Sequence, residues 1–285
     1  MPGSAKWVGP FWAFLAVFLS ATASMAIEIP KDKPWVVYYS DQAAVADFEA
    51  YGLVVLDRDT HPPLRPLIDR GKVLLGYLSL GEVENIRPHY QDLKAEGLLL
   101  RENKFWENSY FIDVRDLRWT VRVIEELIPQ ILRKGFHGIF VDTMDNPLYL
   151  EEVEPETYAG MTRASINLIK AIRRHYPNLL IMINRAYDIL PALAHDIDAV
   201  LGESVRADYD FENEVYRRVP EELSRPQREK MKALLALNPD LRLMTLDYWD
   251  PDDPAPIRDL YARQREEGFE PYVSTLLLNR IIPEP

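Results

Sequence analysis

There is no cysteine in these 285 residues, which removes disulfides, thiolate nucleophiles and cysteine-ligated zinc together. Histidine is scarce, and His61, His89, His137, His175 and His195 show neither H-x-H nor H-E-x-x-H spacing, which argues against a histidine-rich metal centre. Glycine is sparse at 12 residues, and no G-x-G-x-x-G or G-x-x-x-x-G-K-[ST] occurs, so the phosphate-cradling turn of nucleotide-binding folds is missing. G-x-S-x-G is absent too, and with it the usual sign of an α/β-hydrolase serine. Positive charge is outnumbered, Lys+Arg 33 against Asp+Glu 45. Nucleic acid and anionic membrane surfaces are therefore poor partners, whereas a cationic substrate is well matched.

A long apolar run is confined to the N-terminus. Lys6 precedes Phe11 to Leu19, which leads into Ala21-Thr22-Ala23-Ser24-Met25-Ala26. That run is too short for a comfortable membrane span and reads as a secretory signal peptide over residues 1–26. Small residues permit cleavage after Ala26 (Ser24, Ala26) or after Ala23 (Ala21, Ala23); the first is preferred, and an uncleaved anchor is the alternative. Cleavage after Ala26 removes one lysine and no acid, taking the formal charge from −12 to −13. No later run is long enough to cross a bilayer, so the expected location is secreted or periplasmic, without stable membrane insertion after cleavage.

What is present, at 47% apolar residues, is the pattern of a globular α/β chain. Short β-rich runs recur at Trp35 to Tyr39, Leu53 to Leu56, Val73 to Leu80, Tyr110 to Val114, Gly138 to Asp142, Leu179 to Asn184, Ala199 to Glu203, Leu241 to Asp247 and Tyr272 to Leu277. Stretches of helical period lie between them, at about 42–50, 117–134, 157–175, 225–236 and 255–267, the third opened by Pro155 and Thr157. The alternation predicts βα units around a parallel sheet, and roughly 260 mature residues match a single-domain (β/α)8 TIM-type barrel over residues 27–285. Nine strands for eight places imply one added strand, with Tyr110 to Val114 and Tyr272 to Leu277 the two suspects. A doubly wound open sheet is disfavoured by the missing glycine-rich turn.

Barrel active sites are built where strands end at their carboxyl side, and polar groups collect there. Asp142 and Asp145 follow Ile139 to Val141, Glu203 follows Ala199 to Gly202, Glu82 follows Leu78 to Leu80, Asp113 and Arg115 follow Phe111-Ile112, and Asp247 with Tyr248 and Trp249 follow Leu243 to Leu246. Asn184 and Arg185 close another strand, Tyr38 and Tyr39 end the first, and Tyr77 lies in the third. Each acid taken singly is as easily a helix cap or turn former. Together the acids, amide and tyrosines offer hydrogen bonds to hydroxyls and flat faces for sugar rings. Asp142 and Glu203 close strongly apolar strands counted as two places apart, hence backbones roughly 10 Å apart. That spacing allows two carboxyls to flank a glycosidic bond, with the retaining and inverting distances both open. By contrast His137 precedes a strand, at the end a barrel does not use, and reads as structural; Glu151-Glu152-Val153-Glu154 reads as a solvated loop, and Asp250-Pro251-Asp252-Asp253-Pro254 as a rigid turn into a helix.

The ordered set Tyr38-Tyr39-Ser40, Gly76-Tyr77-Leu78-Ser79 with Gly81-Glu82, Phe111-Ile112-Asp113-Val114-Arg115, Gly138-Ile139-Phe140-Val141-Asp142, Asn184, Glu203-Ser204 and Asp247-Tyr248 resembles the GH114-type TIM-barrel glycoside hydrolases. These are the endo-α-1,4-polygalactosaminidases and the related Pel polysaccharide hydrolase domains. The resemblance implies a (β/α)8 barrel, endo-hydrolysis of a galactosamine-containing polymer without a metal or other cofactor, and catalytic acids at Asp142 and Glu203. On this reading Tyr38, Tyr39, Tyr77, Glu82, Asp113, Arg115, Asp145, Asn184, Asp247 and Tyr248 contact substrate, a partly deacetylated amino-sugar polysaccharide. The longer Glu203 side chain suits the acid/base and Asp142 the nucleophile, although the reverse assignment stays open. The competing readings are a catalytically silent sugar-binding barrel and a barrel enzyme acting on a small non-sugar molecule.

Overall fold

The structure, a computed structural model, describes residues 27–285, so the signal peptide and its cleavage site lie outside the described residues. Eight parallel strands pair in strict chain order. They are β1 (Trp35–Tyr38), β2 (Leu53–Leu56), β3 (Val73–Ser79), β4 (Gly138–Asp142), β5 (Leu180–Asn184), β6 (Ala199–Glu203), β7 (Arg242–Tyr248) and β8 (Glu270–Ser274). Their Val, Leu and Ile runs are buried along nearly their whole length. A barrel strand faces packed side chains on its inner side and a helix layer on its outer side, so continuous apolar runs are what this position demands. The ring closes between β1 and β8, where the Trp35 indole packs 5.7 Å from the Tyr272 ring and donates from Nε1 to the Glu270 carbonyl at 2.9 Å. Among the described residues no helix is long and apolar enough to cross a membrane.

The surplus strand is the Tyr110 to Val114 candidate. It forms Ser109–Ile112, the middle of a three-stranded antiparallel sheet with Glu82–Glu84 and Leu99–Glu102, inserted between β3 and β4. Tyr272 to Leu277 supplies β8, beginning two residues earlier than expected and ending at Ser274. A hairpin of Ala207–Asp210 and Val215–Arg218 follows β6; its strands are short and carry no run of buried apolar residues, which hides them from a hydrophobic pattern.

The helix expected at 117–134 is one continuous rod with a wide turn. Leu117–Arg122 leads through the π turn Val123–Leu127 into Ile128–Lys134. Pro129 explains the widening, because it has no N–H to donate and its ring would clash with the carbonyl of the preceding turn. Asp116 caps the start by accepting from the Arg118 amide, and Gly135 ends the rod at φ 112°. The helix expected from 157 instead begins at Met161. The stretch taken as an acidic loop belongs to helix Asn146–Val153, and Glu151 accepts from the amides of Gly160 and Thr162, both at 2.7 Å, capping that next helix. Near 42–50 only the short 3-10 turn Val45–Phe48 forms. Of the last two helices, Glu221–Ala233 starts four residues before the expected 225 and gives way to a 3-10 turn at Leu234–Ala236, and Pro254–Glu266 lies within one residue of expectation. His137 is structural: its Nδ1 accepts from the Leu74 amide at 3.0 Å, tying the amino ends of β3 and β4 together.

Candidate active site

Side chains alternate along each strand, and the inward-facing last residues of β4, β5 and β6 are Asp142, Asn184 and Glu203. The three meet at a single atom. Asn184 Nδ2 donates to Asp142 Oδ1 at 3.0 Å and to Glu203 Oε2 at 2.6 Å. Both amide hydrogens are thus used on the two acids, and carboxylates, being acceptors, fix which way the amide points. Asn184 Oδ1 is buried without a hydrogen-bond partner, a cost offset by two charge-assisted bonds.

Each acid has a second donor, and both donors are tyrosines. Tyr77 of β3 donates its hydroxyl to Asp142 Oδ2 at 2.9 Å, and Tyr248 of β7 donates to Glu203 Oε1 at 2.5 Å. Tyr39, just past β1, stands edge-on to Tyr77 with ring centroids 5.4 Å apart. Burial and the neighbouring charges of Asp142 and Glu203 push the Tyr39 hydroxyl well above its ordinary value, so this tyrosine is a neutral hydrogen-bonding group. Glu203 is also pushed up, first by burial and then by the charge of Asp142, while Tyr248, Asn184 and Arg185 oppose the shift. A carboxyl raised in this way can hold a proton where an ordinary one has lost it.

The turns that follow share a backbone device. Thr143, Arg185 and Ser204, each directly after one of the three converging residues, all take positive φ, at 64°, 53° and 53°. Reversing direction at once keeps Asp142, Asn184 and Glu203 at the strand ends, at the energetic cost of a left-handed conformation in a residue with a Cβ. Thr143 is stabilised in that state by its hydroxyl, which bonds the Asp142 carbonyl at 2.7 Å, the Ser79 hydroxyl at 2.8 Å and the Gly81 amide at 2.9 Å. Gly81 must be glycine, because a Cβ there would stand 2.0 Å from the Thr143 carbonyl oxygen.

Glu82 and Asp145 form an acidic flank. The Glu82 carboxylate is buried and accepts from Asn103 at 2.9 Å and Asn146 at 2.7 Å, which fastens the inserted sheet to the loop after β4. Burial raises its pKa to about 7, with Asp142 and Asp145 adding to the shift and the two amides opposing it. Asp145 is raised by burial and by Asp142, with Arg185 opposing.

Four expected contacts lie elsewhere. Tyr38 points outward from β1, buried edge-on against Phe48 at 5.8 Å, with its hydroxyl accepting from the Ala43 amide. Tyr38 and Tyr39 are adjacent, and a step of one residue changes the face of a strand. Asp247 likewise faces out of β7. It is fully buried, accepts from the amides of Arg206 and Ala207 at 2.6 and 2.9 Å and from Gln264 at 2.7 Å, and braces the chain after Glu203. Asp113 and Arg115 pair with each other at 2.8 Å, and Arg115 also donates to the carbonyls of Thr157 and Ala159. Arg115 therefore pins the inserted sheet to the turn that precedes helix Met161–His175, and the two charges are spent on structural bonds.

Two further groups were missed. Asp57 follows β2 directly and accepts from the amides of Asp59 and Thr60 and from Arg87 at 2.7 Å. Arg87 in turn sits over the Tyr77 ring at 5.4 Å. Asp57 obeys the same strand-end rule as the other acids, whereas nothing local marks Arg87. Among the described residues no group of three or more histidines, aspartates or glutamates is arranged to hold a metal ion.

Comparisons with known proteins bear on the fold and the family. The solved glycoside hydrolase domain of PelA from Pseudomonas aeruginosa is 26% identical, with 87% of this chain and 96% of that chain covered and a TM-score of 0.77. Ega3 of Aspergillus fumigatus, solved in complex with galactosamine, shares the fold at 16% identity and TM-score 0.63, covering 90% of this chain and 96% of that one. An α-galactosidase from Thermus thermophilus shares the fold at 12% identity and TM-score 0.52, over 85% of this chain and 58% of that one. No curated protein matches the chain. The model of glycoside hydrolase family GH114 matches residues 19–283, nearly the whole of the barrel, and the chain belongs to that family.

Proposed function

We propose that this chain is an exported, endo-acting hydrolase of a galactosamine-containing, partly deacetylated polysaccharide, with Asp142 as nucleophile and Glu203 as acid/base. The observation that carries the reading is the shared amide: two inward carboxylates bound to one Asn184 nitrogen. Their bonded oxygens are at most about 5.6 Å apart, the two legs of 3.0 and 2.6 Å laid end to end, which fits the roughly 5 to 5.5 Å of a retaining pair better than the wider inverting range. In the first step the Asp142 carboxylate attacks the anomeric carbon while Glu203 gives its proton to the departing glycosidic oxygen. Water, deprotonated by Glu203, then cleaves the covalent ester and restores Asp142. The raised Glu203 suits the group that must begin protonated.

The sugar is argued from the neighbours and from charge. PelA's domain and Ega3 in complex with galactosamine each match over 96% of their own chains. The excess of acids, Asp+Glu 45 against Lys+Arg 33, suits ammonium groups on the substrate. Endo-action and the α-1,4 linkage follow the resemblance described above, and export follows residues 1–26. The test is digestion of partly deacetylated galactosamine polymer, with the anomer first released followed by NMR. Release of short oligomers with retained configuration is expected. An inverted product would remove the nucleophile assignment, and a protein that binds the polymer without cutting it would be the silent sugar-binding barrel.

A further inference from the structure

Two arms rise from strands on either side of the acids. The first is the inserted sheet after β3, whose tip between Leu99–Glu102 and Ser109–Ile112 carries Phe105 and Trp106. The second is the hairpin that begins four residues after Glu203, whose tip carries Phe211. Their tips touch: the Trp106 and Phe211 rings lie 6.4 Å apart at 89°. Phe211 is backed by Tyr209 at 5.3 Å, and Tyr209 by Tyr216 at 5.1 Å. β3 and β6 flank β4 and β5, so the two arms start on either side of the strands that hold Asp142 and Asn184.

The rings are not core. Trp106 is 50% exposed and Phe211 62% exposed, and an edge-to-face contact leaves ring faces free. Water-facing aromatic groups on polar loop tips mark a binding surface. Both tips are also held stiffly. Asn103 accepts from the Phe105 amide at 3.0 Å, and Glu102 accepts from the Asn108 amide at 2.8 Å. In the hairpin, Asp210 accepts from the amides of Glu212 and Asn213 and from Arg217. Stiff presentation lowers the entropic cost of binding.

We propose that Trp106 and Phe211 form a sugar-stacking platform arched across the cleft, which holds a hexosamine ring of the polymer beyond the unit being cleaved. This rests on the polysaccharide reading above. The apolar C–H face of a sugar ring packs on the free aromatic face, and an ammonium group gains a cation–π attraction there.

Binding of partly deacetylated galactosamine polymer is to be measured by affinity electrophoresis in an Asp142→Asn background, so that polymer is not consumed. Trp106→Ala and Phe211→Ala should each weaken binding about tenfold, and Trp106→Phe should recover most of it. In the otherwise unaltered protein, kcat/KM on polymer should fall in step, while an aryl glycoside too short to reach the tips changes less than twofold. Unchanged polymer binding in the double alanine variant overturns the platform. So does equal loss for Trp106→Phe and Trp106→Ala accompanied by a lower Tm, which would mark a structural clasp. If the variants lose binding but the parent cuts no polymer, the platform stands and the hydrolase reading falls. If the parent cuts and the variants are unaffected in both measurements, only the platform falls.

Discussion

Asp142 and Glu203 differ in surroundings more than in reach, and the difference sets their expected behaviour. Asp142→Asn and Glu203→Gln keep shape and remove only the ionisable group, so both should fold with kcat lowered by about 10² or more and polymer binding little changed. Tyr248 adds a pH test. Its hydroxyl stabilises the anionic Glu203, so Tyr248→Phe should raise the Glu203 pKa further. The step needs Glu203 protonated, and the basic limb of the kcat profile should therefore move to higher pH; a limb that moves down, or stays, removes Glu203 as the acid. Glu82 makes a separate claim about stability. Its pKa stands near 7 in the fold against 4.5 when free, so the folded protein binds that proton more tightly. Stability contributed by the protonated form is complete below about pH 4.5 and lost as pH rises to about 7, by about 3 kcal/mol in all. Glu82→Gln can still accept from Asn103 and Asn146, and its Tm should vary less between pH 5 and pH 8 than that of the parent.

At the scale of elements, the strand ends separate catalytic from structural acids by face. Asp247 and Tyr248 are adjacent on β7, yet one braces the loop after Glu203 from outside the barrel and the other bonds Glu203 from inside. Asp247→Ala should strip three hydrogen bonds from a buried site and cost about 2 to 4 kcal/mol, read as a drop in denaturation midpoint. Asp247→Asn should be much milder, because Gln264 Oε1 is buried and unpartnered and a flipped Gln264 amide can accept from the new side chain. Full activity of Asp247→Asn beside loss in Asp142→Asn would separate the two roles; an inactive Asp247→Asn of normal stability would reinstate Asp247 at the site. Sequence gave no access to this distinction for Asp113 and Arg115 either. Their strand was identified as one of two that could be surplus, but the consequence, that Arg115 is spent on Asp113 and on the carbonyls of Thr157 and Ala159, needed the tertiary contacts.

For the whole molecule, the proposal of export rests on the apolar N-terminal run of the sequence. Protein recovered from the native envelope or medium should begin near Ile27 by mass spectrometry; an intact Met1 terminus would support an anchor. What the sequence pattern determined by itself is the barrel, its seven evident strands, and the strand-end places of Asp142, Asn184 and Glu203; the family came from the motif resemblance. Apolar runs bounded by polar strand ends encode those directly, since a strand buried on both faces admits few alternatives. Only the tertiary structure decided that one Asn184 nitrogen joins the two acids, that Tyr38 and Asp247 face away, that Arg87 backs Tyr77, and that Trp106 meets Phe211. Each of these depends on which face a residue takes or on chain segments far apart in sequence coming together, and neither a strand's facing parity nor a loop's landing point is written in a local pattern.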